Sequence, residues 1–286
     1  MAASPNMDAT HTMSLFRIDW NDAYANAPHI PNGLSYPARW QTQAQAWREQ
    51  MQAQGRARLS QAYGSGERQH MDVFLPSDPC KGIAVFVHGG FWHKFDSSTW
   101  SHFAAGALAR GFMVVLPNYT LAPQARIAAI TQEVSAAIAQ AALLSDGPLM
   151  LAGHSAGGHL VTRMVCEDSL LPTHVQARIH NVLSISGVHD LRPMLWTDMN
   201  QSLQLSEREA ETESPVLHRP LTDARITAWV GSDERPAFIT QNDALFHVWS
   251  GLGANIHCHH EPKRHHFDVI DGLQHPDSDI CRAWLT

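Results

Sequence analysis

One serine in the sequence is framed by glycines in a way that suits a nucleophile. The segment GHSAGG (153–158) follows the apolar run PLMLA (148–152). A serine hydroxyl is a weak nucleophile unless a base and oxyanion donors lie beside it, and a sharp strand-to-helix turn exposes it to both. Gly153 and Gly157 permit such a turn because a Cβ there would strike neighbouring backbone. The pattern predicts Ser155 as the nucleophile of an acyl-transfer site.

A second glycine motif, HGGFW (88–92), follows another apolar run earlier in the chain. Two consecutive glycines leave backbone N–H groups free to point at a ligand, as an oxyanion hole requires. In the G-x-S-x-G arrangement the donors come from such a loop and from the residue after the nucleophile. We therefore expect Gly89 or Gly90, together with Ala156, to form the oxyanion hole. Two parts of one mechanism then agree on a serine hydrolase.

An acid for a catalytic triad is expected after a late strand, because the chain order of this arrangement is serine, acid, histidine. The run ITAWVGSD (226–233) ends at Asp233, which we predict to be this acid. Glu234, the next residue, and Asp190, in the earlier segment GVHDLRP, are alternatives. An aspartate at position 233 would also suit the cap of a helix that begins near Pro236.

The histidine of such a triad is expected near the C-terminus. The segment KRHHFDVI (263–270) offers two adjacent candidates, His265 and His266. The second stands directly before Phe267 and an aspartate that can open a helix. The residues alone leave the choice between the two histidines open.

A histidine-rich strand raises a different possibility, a metal site. His257 and His259 alternate along the run NIHCHH (255–260) and would share one strand face, and His260 follows them. A polar strand face is the favoured interpretation, because no cysteine or carboxylate pattern completes a site. We therefore predict no metal.

Strands and helices alternate through most of the chain. Short apolar runs are separated by segments with helical spacing, such as 127–144, which predicts a mostly parallel sheet covered by helices on both faces. The motifs above fall at the carboxyl ends of these strands, where such sheets bind ligands. The apolar runs predicted to be strands are 82–90, 112–119, 148–155, 181–187, 226–233 and 255–260. A helix-like segment (39–59) and a hairpin (61–75) precede these six runs.

The chain of 286 residues is long enough for a substantial core. We expect a disordered tail over residues 1–20 and one domain over residues 21–286. The segment 191–220 interrupts the alternation of strands and helices, and we expect it to form a small cap.

Composition limits the partners of the protein. It has 20 Lys and Arg against 27 Asp and Glu, a net charge of −7 without a basic block, which argues against nucleic acid and anionic membranes. Its four cysteines form no C-x-x-C pair and suit reduced thiols. No run approaches the length of a membrane span, and the N-terminus has no signal-peptide pattern. We expect a soluble cytoplasmic protein, with homodimer formation left open.

Five segments together resemble one family, the arylformamidase (kynurenine formamidase) group of α/β-hydrolases, close to the hormone-sensitive-lipase-like esterases. They are HGGFW, PNYTLAP, GHSAGGHL, GSDERPAFITQ and HHFD, and the resemblance spans about residues 20–285. It implies an α/β-hydrolase fold in which Ser155 is the nucleophile, Asp233 the acid and His266 the histidine. The sequence departs from the family pattern at Phe91, where Tyr is common, and in the Glu-Arg-Pro that follows the acid.

The resemblance implies hydrolysis of an aryl formamide such as N-formylkynurenine to formate and the free amine. The mechanism passes through an acyl-serine and requires no metal or cofactor. A carboxylesterase for small acyl esters would use the same atoms. A non-catalytic binding protein of this fold is the remaining alternative, and it would normally lack part of the triad.

Aromatic side chains near the strand ends or in the cap segment would suit an aromatic leaving group. Filling of the core is an equally good interpretation of each one taken singly. The candidates for contact with the substrate are Phe91, Trp92, Tyr119 and Trp196, with Trp100 beside them.

Overall fold

Eight strands form a single sheet in a computed structural model of the chain, which describes residues 18–221 and 223–286. The strands are β1 (Ala57–Ala62), β2 (His70–Phe74), β3 (Ile83–Val87), β4 (Met113–Pro117), β5 (Leu149–His154), β6 (Ile179–Ile185), β7 (Arg225–Gly231) and β8 (Ile256–Glu261). Their order across the sheet is β1-β2-β4-β3-β5-β6-β7-β8. The pairs β1–β2 and β2–β4 are antiparallel and all others are parallel. This mostly parallel sheet is the one that the alternating runs predict, and it agrees with the α/β-hydrolase fold that the family resemblance implies.

Ten α-helices accompany the strands in the described part of the chain. They are α1 (Trp20–Ala23), α2 (Tyr36–Ala53), α3 (Ala105–Ala109), α4 (Ile127–Ala141), α5 (Ala156–Arg163), α6 (Thr173–Gln176), α7 (Asn200–Leu203), α8 (Glu207–Thr212), α9 (Pro236–Gly251) and α10 (Asp279–Leu285). Short 3-10 helices lie at Ala27–His29, Gly33–Ser35, Ser97–Ala104, Ala142–Leu144, Arg192–Trp196, Pro215–Leu217 and Asp271–Gln274.

Alternate residues of the central strands supply two separate apolar cores, one on each face of the sheet. In β3, Ile83, Val85 and Val87 pack into one core with α4, α5 and α9, while Ala84 and Phe86 pack into the other with α2, α3 and α10. All five residues are buried, as a strand covered on both faces requires. Packing on both faces therefore holds the sheet in place, and the loops that follow the carboxyl ends of its strands are fixed relative to one another.

The fold differs from the sequence-based expectations at several points. Residues 57–59 were expected to be helical, but α2 ends at Ala53 and β1 begins at Ala57. The predicted tail of residues 1–20 lies outside the described residues except for 18–20, where Trp20 already begins α1. The segment Ile127–Leu144 is, by length and composition alone, apolar enough to cross a membrane, so the expectation that no run approaches this length was wrong. Half of it is buried, because α4 places one face against the core of the domain.

Candidate active site

The predicted strand-to-helix elbow is present, with Ser155 as the single residue between β5 and α5. Its backbone angles, φ of 56° and ψ of −116°, lie in a region that residues other than glycine rarely adopt. The glycines make the turn possible. A Cβ at Gly153 would lie 2.1 Å from the carbonyl oxygen of Gly157, and one at Gly157 would lie 1.9 Å from that of Val87. The Ser155 hydroxyl makes no hydrogen bond within the described residues and so is free to meet a substrate.

The HGGFW loop lies directly against the elbow. A Cβ at Gly89 would lie 3.1 Å from Cβ of Ser155 and 2.8 Å from the carbonyl oxygen of His154. Within the described ranges, the backbone N–H groups of Gly89, Gly90 and Ala156 have no hydrogen-bond acceptor. Unpaired N–H groups beside a nucleophile are the donors that an oxyanion hole needs.

Two aromatic residues expected in the substrate site instead support this loop from below. Tyr119 is fully buried, stacks on the ring of His88 with centroids 4.3 Å apart, and donates a hydrogen bond to the His88 carbonyl oxygen at 3.0 Å. Trp92 is also fully buried, and its Nε1 donates to Nδ1 of His159 at 3.2 Å. Neither lines the cleft, because a backbone carbonyl oxygen accepts from the Tyr119 hydroxyl and the His159 imidazole accepts from the Trp92 indole, which allows both rings into the core.

Burial keeps these supporting imidazoles neutral. It lowers the pKa of His88 to about 4 and that of His159 to about 3. Nε2 of His159 donates to the carbonyl oxygen of Glu213 at 2.7 Å, so that both ring nitrogens of this histidine are used. The loop that carries the oxyanion donors thus rests on uncharged, hydrogen-bonded rings.

The carboxylate that meets the histidine belongs to Glu234. Its Oε2 accepts a hydrogen bond from Nδ1 of His266 at 2.6 Å, and its Oε1 accepts bonds from the hydroxyl of Ser186 and from the backbone N–H of Gly231 at 2.9 Å. The side chain of Glu234 is completely buried and that of His266 is 3% exposed. Nε2 of His266 has no partner in the described part of the chain, and the ring lines the same cleft as Ser155.

The structure corrects the prediction that Asp233 contacts the histidine. The chain turns tightly after β7, and the backbone N–H of Asp233 donates to the carbonyl oxygen of Arg264, leaving the Asp233 side chain exposed. The next residue, Glu234, points back over the strand end and takes the position. Asp190, the other alternative, forms an ion pair with Arg192 at 2.7 Å.

The two adjacent histidines have different surroundings. His266 contacts Glu234 and lines the cleft, as described above. His265 hydrogen bonds through Nε2 to the hydroxyl of Tyr36 at 3.1 Å, and its Nδ1 accepts from the backbone N–H of Asp268. The predicted choice of His266 therefore agrees with the geometry, and His265 instead ties α2 to the loop after β8.

Ser155 and His266 open into a cleft of about 410 Å³. Of the predicted substrate contacts, Phe91 lines the cleft, whereas Trp196 does not and is 67% exposed. The aromatic lining comes mostly from residues that the sequence did not single out for this role. It consists of Tyr24, Trp40, Phe91, Phe95, Trp100 and Phe267.

The roof of the cleft comes mainly from the N-terminal segment 21–40, to which no function was assigned from the sequence. The expected cap segment 191–220 contributes only Asp198 and Met199. The N-terminal segment is joined to the domain by polar contacts. Gln241 donates to the hydroxyl of Tyr24 at 2.7 Å, and a side-chain contact with Asn21 holds the backbone of the cap segment.

An ion pair links this roof to the loop that carries the buried carboxylate. Asp22 pairs with Arg235, the residue after Glu234, and also accepts from Nε2 of His29 at 2.7 Å. The hydrogen bond to His29 and the charge of Arg235 hold the pKa of the Asp22 carboxyl below its usual value. This ion pair therefore joins the roof to the residue that directly follows Glu234.

Outside the cleft, the histidine-rich strand β8 differs from its predicted form. Asp243, Cys258 and His260 bring a carboxylate, a thiol and an imidazole within 4.8 Å of one another, so a cysteine and a carboxylate do accompany this strand. Nε2 of His260 lies 2.7 Å from Asp243. His259 points elsewhere and stacks on Trp229 with ring centroids 3.8 Å apart. The His-x-His pair considered from the sequence is not the group that the structure assembles.

The fold, the elbow and the pairing of an imidazole with a buried carboxylate are together typical of α/β-hydrolases. Residues 84–252 match the model of the alpha/beta hydrolase fold family, and the chain belongs to that family. It is accordingly a hydrolytic enzyme.

The chain is similar to curated kynurenine formamidases. It is 28% identical to that of Danio rerio over 222 residues, which cover 74% of this chain and 75% of the relative. It is 27% identical to that of Drosophila melanogaster over 237 residues, 77% and 78% of the two chains.

The chain is also similar to solved structures of other hydrolases. A proposed thioesterase from Silicibacter sp. tm1040 is 45% identical and superposes with a TM-score of 0.89, covering 94% of this chain and 100% of its own. Esterase B from Lactobacillus rhamnosis, at 15% identity and a TM-score of 0.63 over 86% and 91% of the two chains, shares the fold.

Proposed function

We propose that the protein hydrolyses an aryl formamide by acyl transfer through Ser155, with His266 as general base and acid and Glu234 as the residue that orients it. The observation that carries this proposal is the 2.6 Å hydrogen bond between Glu234 and Nδ1 of His266. It fixes the tautomer whose Nε2 is free to accept a proton, and that ring shares a cleft with the elbow serine.

The reaction follows from these positions. Oγ of Ser155 attacks the formyl carbon while Nε2 of His266 takes its proton, and the N–H groups of the oxyanion loop stabilise the negative oxygen. His266 then returns the proton to the anilide nitrogen, and the C–N bond breaks to release the amine. Water attacks the formyl-serine with His266 again as base, which releases formate and restores the hydroxyl. Glu234 stays ionised throughout and stabilises the imidazolium.

The proposed substrate class is an N-formyl arylamine such as N-formylkynurenine. The curated kynurenine formamidases noted above support it, since they share three quarters of their length with this chain. The cleft supports it independently, because six aromatic side chains surround the space beside Ser155 and suit an aromatic leaving group.

Parallel turnover measurements test this proposal. The substrates are N-formylkynurenine, N-formylanthranilate, p-nitrophenyl acetate and a short-chain acyl thioester. We expect the highest kcat/KM for one of the two formamides. Ser155→Ala protein prepared in the same way is the control for contaminating hydrolases. Higher turnover of the ester or thioester would contradict the assignment to formamides.

A second candidate is a hydrolase for small esters or thioesters, which would use the same atoms with an easier leaving group. The observation that favours it is the 45% identity to the Silicibacter protein, which is described as a thioesterase. A leaving thiolate or alkoxide needs less protonation than an anilide nitrogen does. The thioester arm of the assay therefore separates the two candidates directly.

A further inference from the structure

The strand at one edge of the sheet and the helix that covers it bring three side chains of different chemistry together. Cys258 and His260 stand two residues apart on β8 and so share one face of the strand. Asp243 meets them from α9, which packs on that face. Its Oδ1 lies 2.7 Å from Nε2 of His260 and 3.5 Å from Sγ of Cys258. Within residues 18–221 and 223–286, this is the only group of three histidine, cysteine or acidic side chains placed to hold a metal ion.

The donor atoms of this group are those of a zinc site. Zn²⁺ is bound in proteins by thiolates, imidazoles and carboxylates, whereas Mg²⁺ and Ca²⁺ take oxygen ligands. Ligand atoms around a tetrahedral zinc ion lie about 3.3 to 3.8 Å apart, and the three atoms here lie within 4.8 Å of one another. The side chains of His260 and Asp243 are 40% and 36% exposed, so both have room to move apart slightly and admit an ion.

A buried amide beside the sulfur is an independent observation that points to a metal. Asn242 is fully buried, and its Nδ2 donates a hydrogen bond to Sγ of Cys258 at 3.2 Å, while its Oδ1 has no partner among the described residues. Buried amides are seldom left half-paired without a reason. An N–H donor stabilises a thiolate, and outer contacts of this kind orient the ligands of metal sites.

We propose that Asp243, Cys258 and His260 bind one zinc ion, with water in the fourth position. The Cys258 thiol releases its proton to solvent as the ion binds, and His260 binds through Nε2. None of the three residues lines the cleft of Ser155. The ion therefore has a structural role, in which it joins α9 to the edge strand β8.

Metal titration of the purified full-length protein tests the proposal. After dialysis against a chelator, wild-type protein should bind one Zn²⁺ per chain at a saturable site. Co²⁺ in its place should produce a thiolate-to-cobalt charge-transfer band in the near ultraviolet. Zn²⁺ at a hundredfold excess over its Kd should raise the Tm by about 5 °C or more, because the ion binds the folded state. Mg²⁺ should produce no such rise.

Three variants and two matched controls locate the ion. Cys258→Ser should abolish the charge-transfer band, and Asp243→Asn and His260→Gln should each weaken Zn²⁺ binding by about tenfold or more. His257→Gln alters an exposed histidine on the opposite face of the same strand, and Cys80→Ser alters an exposed free cysteine outside the group. Both controls should keep the band and the wild-type Kd.

Alkylation of the cysteines is a readout that needs no variant. Zn²⁺ should protect Cys258 of the wild-type protein from iodoacetamide, and Mg²⁺ should not, whereas Cys80 should react equally under both conditions, as peptide mapping by mass spectrometry would show. The proposal would be overturned by the absence of saturable Zn²⁺ binding in the wild-type protein. A charge-transfer band that persists in Cys258→Ser, or a Kd that His260→Gln leaves unchanged, would overturn it as well.

Discussion

The floor and the roof of the cleft are built in different ways. The floor consists of the loops after β3, β5, β7 and β8, and its polar groups are buried, as the completely enclosed carboxylate of Glu234 illustrates. The roof is an N-terminal segment held by exposed contacts, and the side chain of Asp22 in its main ion pair is 53% exposed. Buried hydrogen-bonded charges hold one geometry, whereas exposed pairs contribute little.

This difference separates chemistry from selection. The floor fixes the atoms that react, so its residues should govern kcat. The roof lines the rest of the cleft, where the leaving group of the proposed substrate would lie, so its residues should govern KM and the choice of substrate. Substitutions in the two regions test whether this division holds.

The largest effect is expected at the nucleophile. Ser155→Ala should lower kcat by about 10⁴ to 10⁶ with little change in KM, because only binding and oxyanion stabilisation remain. A serine-directed organophosphate should label Ser155 in the wild-type protein, as peptide mapping by mass spectrometry would reveal. An adduct on another serine would place the chemistry elsewhere.

The next effect concerns the two adjacent histidines and depends on the leaving group. His266→Ala should lower kcat/KM by about 10⁴ or more on both formamide and p-nitrophenyl ester, with the greater loss for the formamide, because an anilide nitrogen needs a proton to leave. His265→Ala is the control and should change both rates only slightly. Equal losses on both substrates would mean that serine attack limits both reactions.

A somewhat smaller loss is expected at the acidic turn. Glu234→Gln should lower kcat by about 10³ to 10⁴, because the imidazole loses its orientation and the partner of its charged form. The neighbouring Asp233→Asn is a matched control that leaves the hydrogen bond to His266 intact. If Asp233→Asn were the more damaging substitution, the side-chain placement described above would be wrong.

The smallest effect is expected in the roof. Asp22→Asn weakens the contacts with Arg235 and His29 and should raise KM for N-formylkynurenine about two- to fivefold while changing kcat little, since exposed ion pairs are weak. Asp223→Asn is the remote control. A fall in kcat comparable to that of Glu234→Gln would show that the roof takes part in chemistry. The floor and the roof would then not have separate roles.

The sequence predicted the floor well because its signals are local. Alternating apolar runs, a glycine-framed serine and a glycine pair each depend on neighbours in the chain. The carboxylate that hydrogen bonds to His266 was missed by one residue. The turn after Gly231 decides whether Asp233 or Glu234 faces inward, and the local sequence does not encode that turn. Glu234 was recognised only as an alternative.

The roof was beyond sequence reasoning for a different reason. Its contacts join distant parts of the chain, such as Tyr36 with His265, and no periodicity reports them. Two of the aromatic assignments failed for the same reason, since Trp92 and Tyr119 occur near strand ends but are buried under the loop, whereas Phe91 does line the cleft. Trp196 shows the opposite error, an aromatic residue in the expected cap that remains exposed.

The neutral imidazoles beneath the active-site loops also determine how the fold tolerates acid. Burial lowers the pKa of His88 to about 4 and those of His159 and His189 to about 3, and it lowers the pKa of His154 well below its usual value. In the unfolded chain the same rings take up protons below about pH 6.5. Between about pH 6.5 and 4 the unfolded state therefore binds more protons, and the free energy of unfolding falls as the pH falls.

Each of these buried histidines adds up to about 1.4 kcal/mol per pH unit to the fall in the free energy of unfolding. Urea unfolding at about pH 7, 6 and 5 should show stability that is fullest at neutral pH and declines steeply below about pH 6. The exposed His275→Gln should leave that slope unchanged, and a flat profile in the wild-type protein would contradict the neutral state of these rings. The side chains that keep the oxyanion loop and elbow in place thus also set an acid limit on the environments in which the enzyme can remain folded.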